Sequence, residues 1–176
     1  IKYFSQRGYR CVVFTLPNFD GHGGGWGLDF DALTALLADR VRQCTVGPDG
    51  EPRKVNLFCH DWGCTLGYLV IDRNPGLVAK MVALDVGGRC PTTSSFYFFV
   101  ASYQMFLTTC FLLGHPVGTW MTRAFLRVAN YRARPLADVS CTMNYVYYHF
   151  WRRIFTLGAK AWPPVQVSVP TFFAYG

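Results

Sequence analysis

Val55-Asn56-Leu57-Phe58-Cys59-His60-Asp61-Trp62-Gly63 is the stretch on which the fold turns. Val55–Cys59 is a short apolar run opening on a β-branched residue, which reads as a buried strand, and Asp61 to Arg73 reads as a turn and a helix. Where a strand enters a helix through a tight turn that presents a nucleophile, the pattern is small-x-nucleophile-x-small, because the turn crowds the residues two before and two after. Cys59 and Gly63 hold the small positions and Asp61 the central one. Such a turn lifts the Asp61 carboxylate to the carboxyl edge of a sheet, where the N–H groups of the following helix favour an anion. The backbone N–H of Trp62 then stands where an oxyanion donor is needed. A carboxylate so placed can attack an sp³ carbon and form an ester that water hydrolyses, which suits epoxides and alkyl halides. The competing reading is that Asp61 only caps the helix.

Outward from this stretch the elements alternate. Residues 1–7 read as a helix end closed at Gly8, and Arg10–Leu16 as a buried strand. Pro17 to Gly27 is a glycine-rich loop. Asp29 or Asp31 can cap the next helix, on which Leu33, Leu36, Leu37 and Val41 share a face. Gly47–Pro52 is a turn cluster, Asn74-Pro75-Gly76 stops the helix after Asp61, and Ala79–Val86 is a third strand. Strand, helix, strand, helix, strand with short loops predicts a parallel sheet covered by helices, hence an α/β fold. The pattern then changes to three aromatic helical stretches, 94–113, 117–131 and 138–158, parted by Gly114-His115-Pro116 and ended by Pro163-Pro164. Val165–Tyr175 returns to a strand-like pattern.

The charge changes at the same place. The chain has 176 residues, 17 basic and 10 acidic, a net +7, with 51% apolar and only 15% charged residues. Soluble domains carry about 25% charged residues, and disordered chains combine low hydrophobicity with high charge, so disorder is excluded. Residues 1–85 are balanced, whereas 86–176 hold eight bases (Arg89, Arg123, Arg127, Arg132, Arg134, Arg152, Arg153 and Lys160) against Asp138 alone. The 33 residues between Arg89 and Arg123 carry no charge, which places a boundary near residue 89. Aromatic and basic residues are segregated rather than interleaved, which argues against nucleic acid. A basic, apolar half could touch an anionic membrane surface or pack on its neighbour as an ordinary helical subdomain. Phe96–Leu113 is uncharged over 18 residues, at the lower edge of a membrane span. Its Ser102, Gln104, Thr108 and Thr109 favour a buried or interfacial helix. Seven cysteines without framework spacing point to reduced thiols and a reducing intracellular compartment. No signal peptide is legible, and the closing run Thr171–Gly176 reads as a strand with nothing after it, so a piece of a longer protein is expected.

His60-Asp61-Trp62-Gly63 after a strand resembles the nucleophile motif of α/β-hydrolases of the epoxide hydrolase and haloalkane dehalogenase branch. The resemblance runs from about Tyr3 to Gly88 and more weakly to the end. Asn74-Pro75-Gly76-Leu77-Val78 resembles the loop into the next strand, and Val169-Pro170-Thr171-Phe172-Phe173 the strand that resumes the core after a helical cap. It implies three parts: a partial core with the nucleophile elbow over 1–89, a cap over 90–164, and a returning core strand over 165–176. It implies Asp61 as nucleophile and Trp62 as oxyanion-hole donor, the indole of the equivalent dehalogenase Trp also helping to bind halide. Two cap tyrosines activate the epoxide oxygen in that family. Tyr103-Gln104-Met105-Phe106 resembles the surroundings of the first, and the second falls near Tyr145, Tyr147 or Tyr148, with Tyr145 taken. The oxyanion loop, the catalytic His and the usual acid would lie outside the chain, and Asp85 stands where some members place that acid. Cys59 departs from the family, which has Gly there.

Other motifs weigh less. His22-Gly23-Gly24-Gly25-Trp26 resembles an esterase oxyanion loop, but only one helix separates it from the strand at Val55, and it fails the dinucleotide-binding pattern at Trp26 and Leu28. Cys59, His60 and Cys64 lack a second ligand pair for a metal. The expectation is a hydrolase, epoxide-hydrolase-like, whose Asp61 forms an alkyl-enzyme ester with an apolar or lipid-like small substrate. It needs no metal or organic cofactor, and the chain alone is expected to be inactive. The alternatives are a haloalkane dehalogenase or esterase on the same scaffold, or a non-catalytic membrane-associated interaction protein.

Overall fold

A computed structural model describes residues 1–20, 25–47, 50–86, 93–162 and 165–175. The elements are α1 (Lys2–Ser5), α2 (Phe30–Cys44), β1 (Val55–His60), α3 (Trp62–Arg73), β2 (Val78–Leu84), α4 (Ser94–Leu113), α5 (Val117–Val128), α6 (Tyr145–Leu157) and β3 (Thr171–Ala174). Short 3-10 turns fill Leu136–Asp138, Cys141–Asn144 and Gly158–Lys160. The three strands form one parallel sheet in the order β1-β2-β3, with Leu57 opposite Met81 and Ala83 opposite Phe173.

Helices α2 and α3 cover one face of that sheet. Asp29, not Asp31, caps α2, accepting a hydrogen bond from the Ala32 N–H at 2.9 Å. Leu33 and Val41 are buried as the periodicity predicts. Cys64, Val70 and Ile71 of α3 pack with Val78, Met81 and Ala83 of β2. Burying each such aliphatic side chain contributes about 1.5–3 kcal/mol. A second cluster joins this layer to the aromatic helices: Phe30, Leu33, Leu66 and Leu69 meet Phe111, Tyr145 and Val146. Asp31 fastens the same junction, bonding Arg73 of α3 at 2.6 Å and Arg153 of α6 at 2.8 Å. Burial pushes its carboxyl up, but the two guanidiniums more than offset this and hold it below its ordinary value.

The aromatic half is helical, α4 and α5 running antiparallel. A Cβ on Gly118 would lie 1.8 Å from the Cys110 carbonyl oxygen, so only glycine lets the two helices approach so closely there. Toward the other end Phe125 packs on Phe106 at 5.5 Å and on Tyr103 at 6.4 Å. The buried residues of α4 (Leu107, Thr108, Cys110 and Phe111) all lie in its C-terminal half. The helix is long and apolar enough to cross a membrane by length and composition, with 22% of its apolar window buried.

Several expectations shift. Arg10–Leu16 is not a strand: it pairs with nothing among the described residues, and Val12 and Val13 are exposed. A strand is stabilised by a hydrogen-bonded neighbour, and among the described residues β1 pairs with β2 alone. The third strand begins at Val78 and ends at Leu84, and only Thr171–Ala174 of the last stretch pairs. The stretch 138–158 is helical only from Tyr145, behind two 3-10 turns. The boundary near residue 89, the His22-Gly23-Gly24 run and Pro163-Pro164 lie outside the described residues. Cys11, Cys44, Cys59, Cys64, Cys110 and Cys141 are free thiols.

Candidate active site

The turn between β1 and α3 holds Asp61 at φ 49°, ψ −125°. Positive φ is costly for a residue with a Cβ, of order 1–3 kcal/mol, and such strain persists where the surroundings over-determine it. Here they do: the Asp61 N–H still bonds the Leu84 carbonyl as the last rung of the sheet (3.2 Å), while its own carbonyl already accepts from the Cys64 N–H as the first rung of the helix (2.8 Å). Asp61 makes no side-chain capping bond to the N–H groups further along the helix. The residue is open to solvent, yet enough protein surrounds the carboxyl that desolvation pushes its pKa up. The neighbouring His60 opposes this, Asp85 adds to it, and a hydrogen bond from the Trp62 backbone N–H pulls it down.

The predicted crowding falls one turn later than expected. A Cβ on Gly63 would meet Cys59 Cβ at 4.0 Å, an ordinary contact. A Cβ on Gly67 would meet Cys59 Sγ and Met81 Cε at 3.0 Å each. Cys59 thus fills the space over Gly67 in the helix, and burial pushes its thiol up to about 12, the nearby Cys64 adding to the rise. A thiol so raised stays protonated and unreactive at neutral pH.

The aromatic helices bring tyrosines over this turn. Tyr103 of α4 and Tyr147 of α6 meet edge to face at 6.2 Å, and Tyr147 meets the Trp62 indole at 5.4 Å. Both phenols are pushed above their usual value, chiefly by burial and further by the negative charge of Asp61. Both therefore stay protonated at neutral pH and able to donate. Trp62 is held between Phe30 at 5.5 Å and Phe150 at 5.3 Å. Its indole N–H is buried with no hydrogen-bond acceptor, although it lies close enough to Tyr147 to temper that residue's pKa.

The structure does not bring Tyr145 to this site. Tyr145 is 0% exposed and its hydroxyl has no partner among the described residues. Its ring lies so tightly over Gly27 that a Cβ there would come within 2.3 Å. Residues two apart on a helix point about 200° apart, so with Tyr145 turned into the core Tyr147 is turned the other way. Tyr148 joins neither: it packs on Trp26 and Phe111.

Asp85, at φ 68°, follows the end of β2. Its Oδ2 lies 2.7 Å from His60 Nε2 with both side chains exposed. It engages a histidine, then, but one from the neighbouring strand end, a pairing that sequence reasoning missed. The parallel register, which sets His60 opposite Leu84, is what makes it. No three His, Cys, Asp or Glu side chains cluster to hold a metal among the described residues.

A parallel sheet, a strained strand-to-helix turn at its carboxyl edge, and helices arching over that turn define an α/β-hydrolase fold. Residues 2–174 match the model of the Alpha/beta hydrolase family, and the chain belongs to that family. A solved structure described as a "putative epoxide hydrolase from Pseudomonas aeruginosa" superimposes with a TM-score of 0.51 at 15% identity, covering 89% of this chain and 57% of that one. At that identity the likeness concerns the fold. No curated protein matches the chain.

Proposed function

We propose that this hydrolase-family chain carries the nucleophile half of an epoxide-hydrolase-like reaction on an apolar substrate. The observation that carries the reading is the Asp61 carboxylate, held at a strained φ, free of any capping bond, and close enough to two protonated tyrosines to shift both their pKa values. Asp61 Oδ attacks an epoxide carbon, the C–O bond breaks, and the departing oxygen takes a proton from Tyr103 or Tyr147. The Trp62 N–H stabilises the oxyanion that forms when water later attacks the ester carbonyl. Resolving the ester needs a base to activate that water, and His60, the histidine beside Asp61, is an exposed side chain already paired with Asp85 at 2.7 Å. We infer that the chain by itself stalls at the ester. The rings of Trp62, Tyr103, Tyr147 and Phe125 support an apolar or lipid-like substrate.

A second reading rests on the buried, unpartnered Trp62 indole N–H, a donor suited to a leaving halide. One experiment separates the two. The chain is incubated with a panel of epoxides and alkyl halides, quenched in acid and weighed intact. An adduct on Asp61 from epoxides, absent in Asp61→Asn and weakened by the Tyr103→Phe/Tyr147→Phe pair, supports epoxide opening. Chloride release with an adduct indifferent to the tyrosines supports dehalogenation. A folded chain that reacts with neither class overturns both.

A further inference from the structure

The first turns of α4 carry a second feature. Four successive aromatic residues, Phe96, Tyr97, Phe98 and Phe99, open α4, and all four are exposed, Phe98 at 77%. Consecutive helical residues are about 100° apart, so these four surround the helix. A packed protein neighbour covers one side of a helix, whereas a layer of lipid headgroups and upper acyl chains surrounds an inserted tip.

The antiparallel packing decides what stands beside that tip. Gly118 lies against Cys110 and Phe125 against Phe106 and Tyr103, so the C-terminal end of α5 lies level with the first turns of α4. That end offers Val128, 89% exposed, and an exposed Tyr131. It also offers the exposed Arg127 and Arg132. Asp138 is the only acidic residue after residue 85. The carbonyls on either side of it accept from the Arg123 guanidinium at 2.6 and 2.9 Å, which holds it alongside the middle of α5, away from the tip.

We propose that the α4–α5 tip is a membrane-docking surface, with the aromatic ring of side chains entering the interface of an anionic bilayer and Arg127 and Arg132 meeting its headgroups. Aromatic residues favour the headgroup level because one side of the ring system is apolar and the hydroxyl edge of tyrosine is wet. Each cation close to an anionic surface raises partitioning about fivefold. The proposal does not depend on the chemistry at Asp61.

The test is co-sedimentation of the chain with phosphatidylcholine vesicles, with and without phosphatidylserine. The expected result is binding to the anionic vesicles that falls steeply with salt, with little binding to neutral ones. Arg127→Glu/Arg132→Glu should weaken it at least about 25-fold, two cations at fivefold each, and Phe98→Ser/Val128→Ser should weaken it about tenfold. All four side chains are exposed, so thermal unfolding of both variants should match that of the parent chain. Equal binding to neutral vesicles, or binding unchanged in both variants, overturns the proposal. So does a concentration-dependent dimer that Phe98→Ser/Val128→Ser dissolves, which would make the tip a contact between two copies.

Discussion

Arg10–Leu16 and Val55–His60 carry the same local signal, a short apolar run with β-branched residues that leads into a polar or glycine-rich loop, and only the second is a strand. Val55–His60 has β2 beside it and α3 packed beneath it. Arg10–Leu16 pairs with no strand among the described residues, and Val13 is 66% exposed. Strand propensity is a weak preference, and a strand becomes one when its backbone groups find partners and one face is covered. The difference also separates function from scaffold, because the run that pairs is the one whose end is bent into the Asp61 turn.

The largest expected effect is chemical. Asp61→Asn keeps the size of the side chain and tolerates the left-handed backbone, so it should remove adduct formation altogether while leaving the circular dichroism spectrum intact. The next is energetic and sets the two runs against each other. Ile71→Ala, in the cluster that packs against Val55, Leu57 and Cys59 of β1 and 2% exposed, should cost about 2–5 kcal/mol in chemical denaturation. Val13→Ala should stay within about 0.5 kcal/mol. Equal costs would mean that Arg10–Leu16 is packed in solution. Amide exchange sharpens this, with the β1 amides protected and those of residues 10–16 exchanging rapidly.

Asp61→Gly should stabilise the chain by about 1 kcal/mol, since glycine adopts positive φ freely, while abolishing the adduct. Unchanged stability would mean that the turn is not strained. The smallest effect is a pH dependence. The Asp61 carboxyl is held above its ordinary value, chiefly by desolvation, so the folded chain binds its proton more tightly than the unfolded one. That proton's contribution to stability is present at low pH and is lost as pH rises through the raised value. Relative to Asp61→Asn, the parent chain should therefore lose stability over that window. Adduct formation should rise over the same window, as the carboxylate forms.

His60-Asp61-Trp62-Gly63, with small residues on either side, was enough to locate the turn, because so few sequences satisfy that steric pattern. The stop at Asn74-Pro75-Gly76 and the strand–helix–strand succession from Val55 to residue 86 were legible for the same reason, since each depends on neighbours in sequence, whereas the choice of Asp29 over Asp31 as cap needed the structure. The steric pattern expects crowding at Cys59 and Gly63, and Cys59 packs over Gly67 instead. Whether Asp61 capped its helix was open from sequence, and the backbone dihedrals with the missing capping bond decide that it does not.

The chain's own order of residues determined where a carboxylate could be presented and that a basic, aromatic half would follow it. The tertiary structure alone decided which tyrosine of α6 comes near enough to that carboxylate to feel its charge. Tyr145, Tyr147 and Tyr148 lie within one turn of α6, and their side chains point in different directions around it. Only the packing of α6 against Phe30, Leu66 and Phe111 fixes its rotation, turning Tyr145 into the core and Tyr147 toward Asp61. The pairing of His60 with Asp85 has the same origin, since the parallel register of β1 and β2 joins residues 25 positions apart.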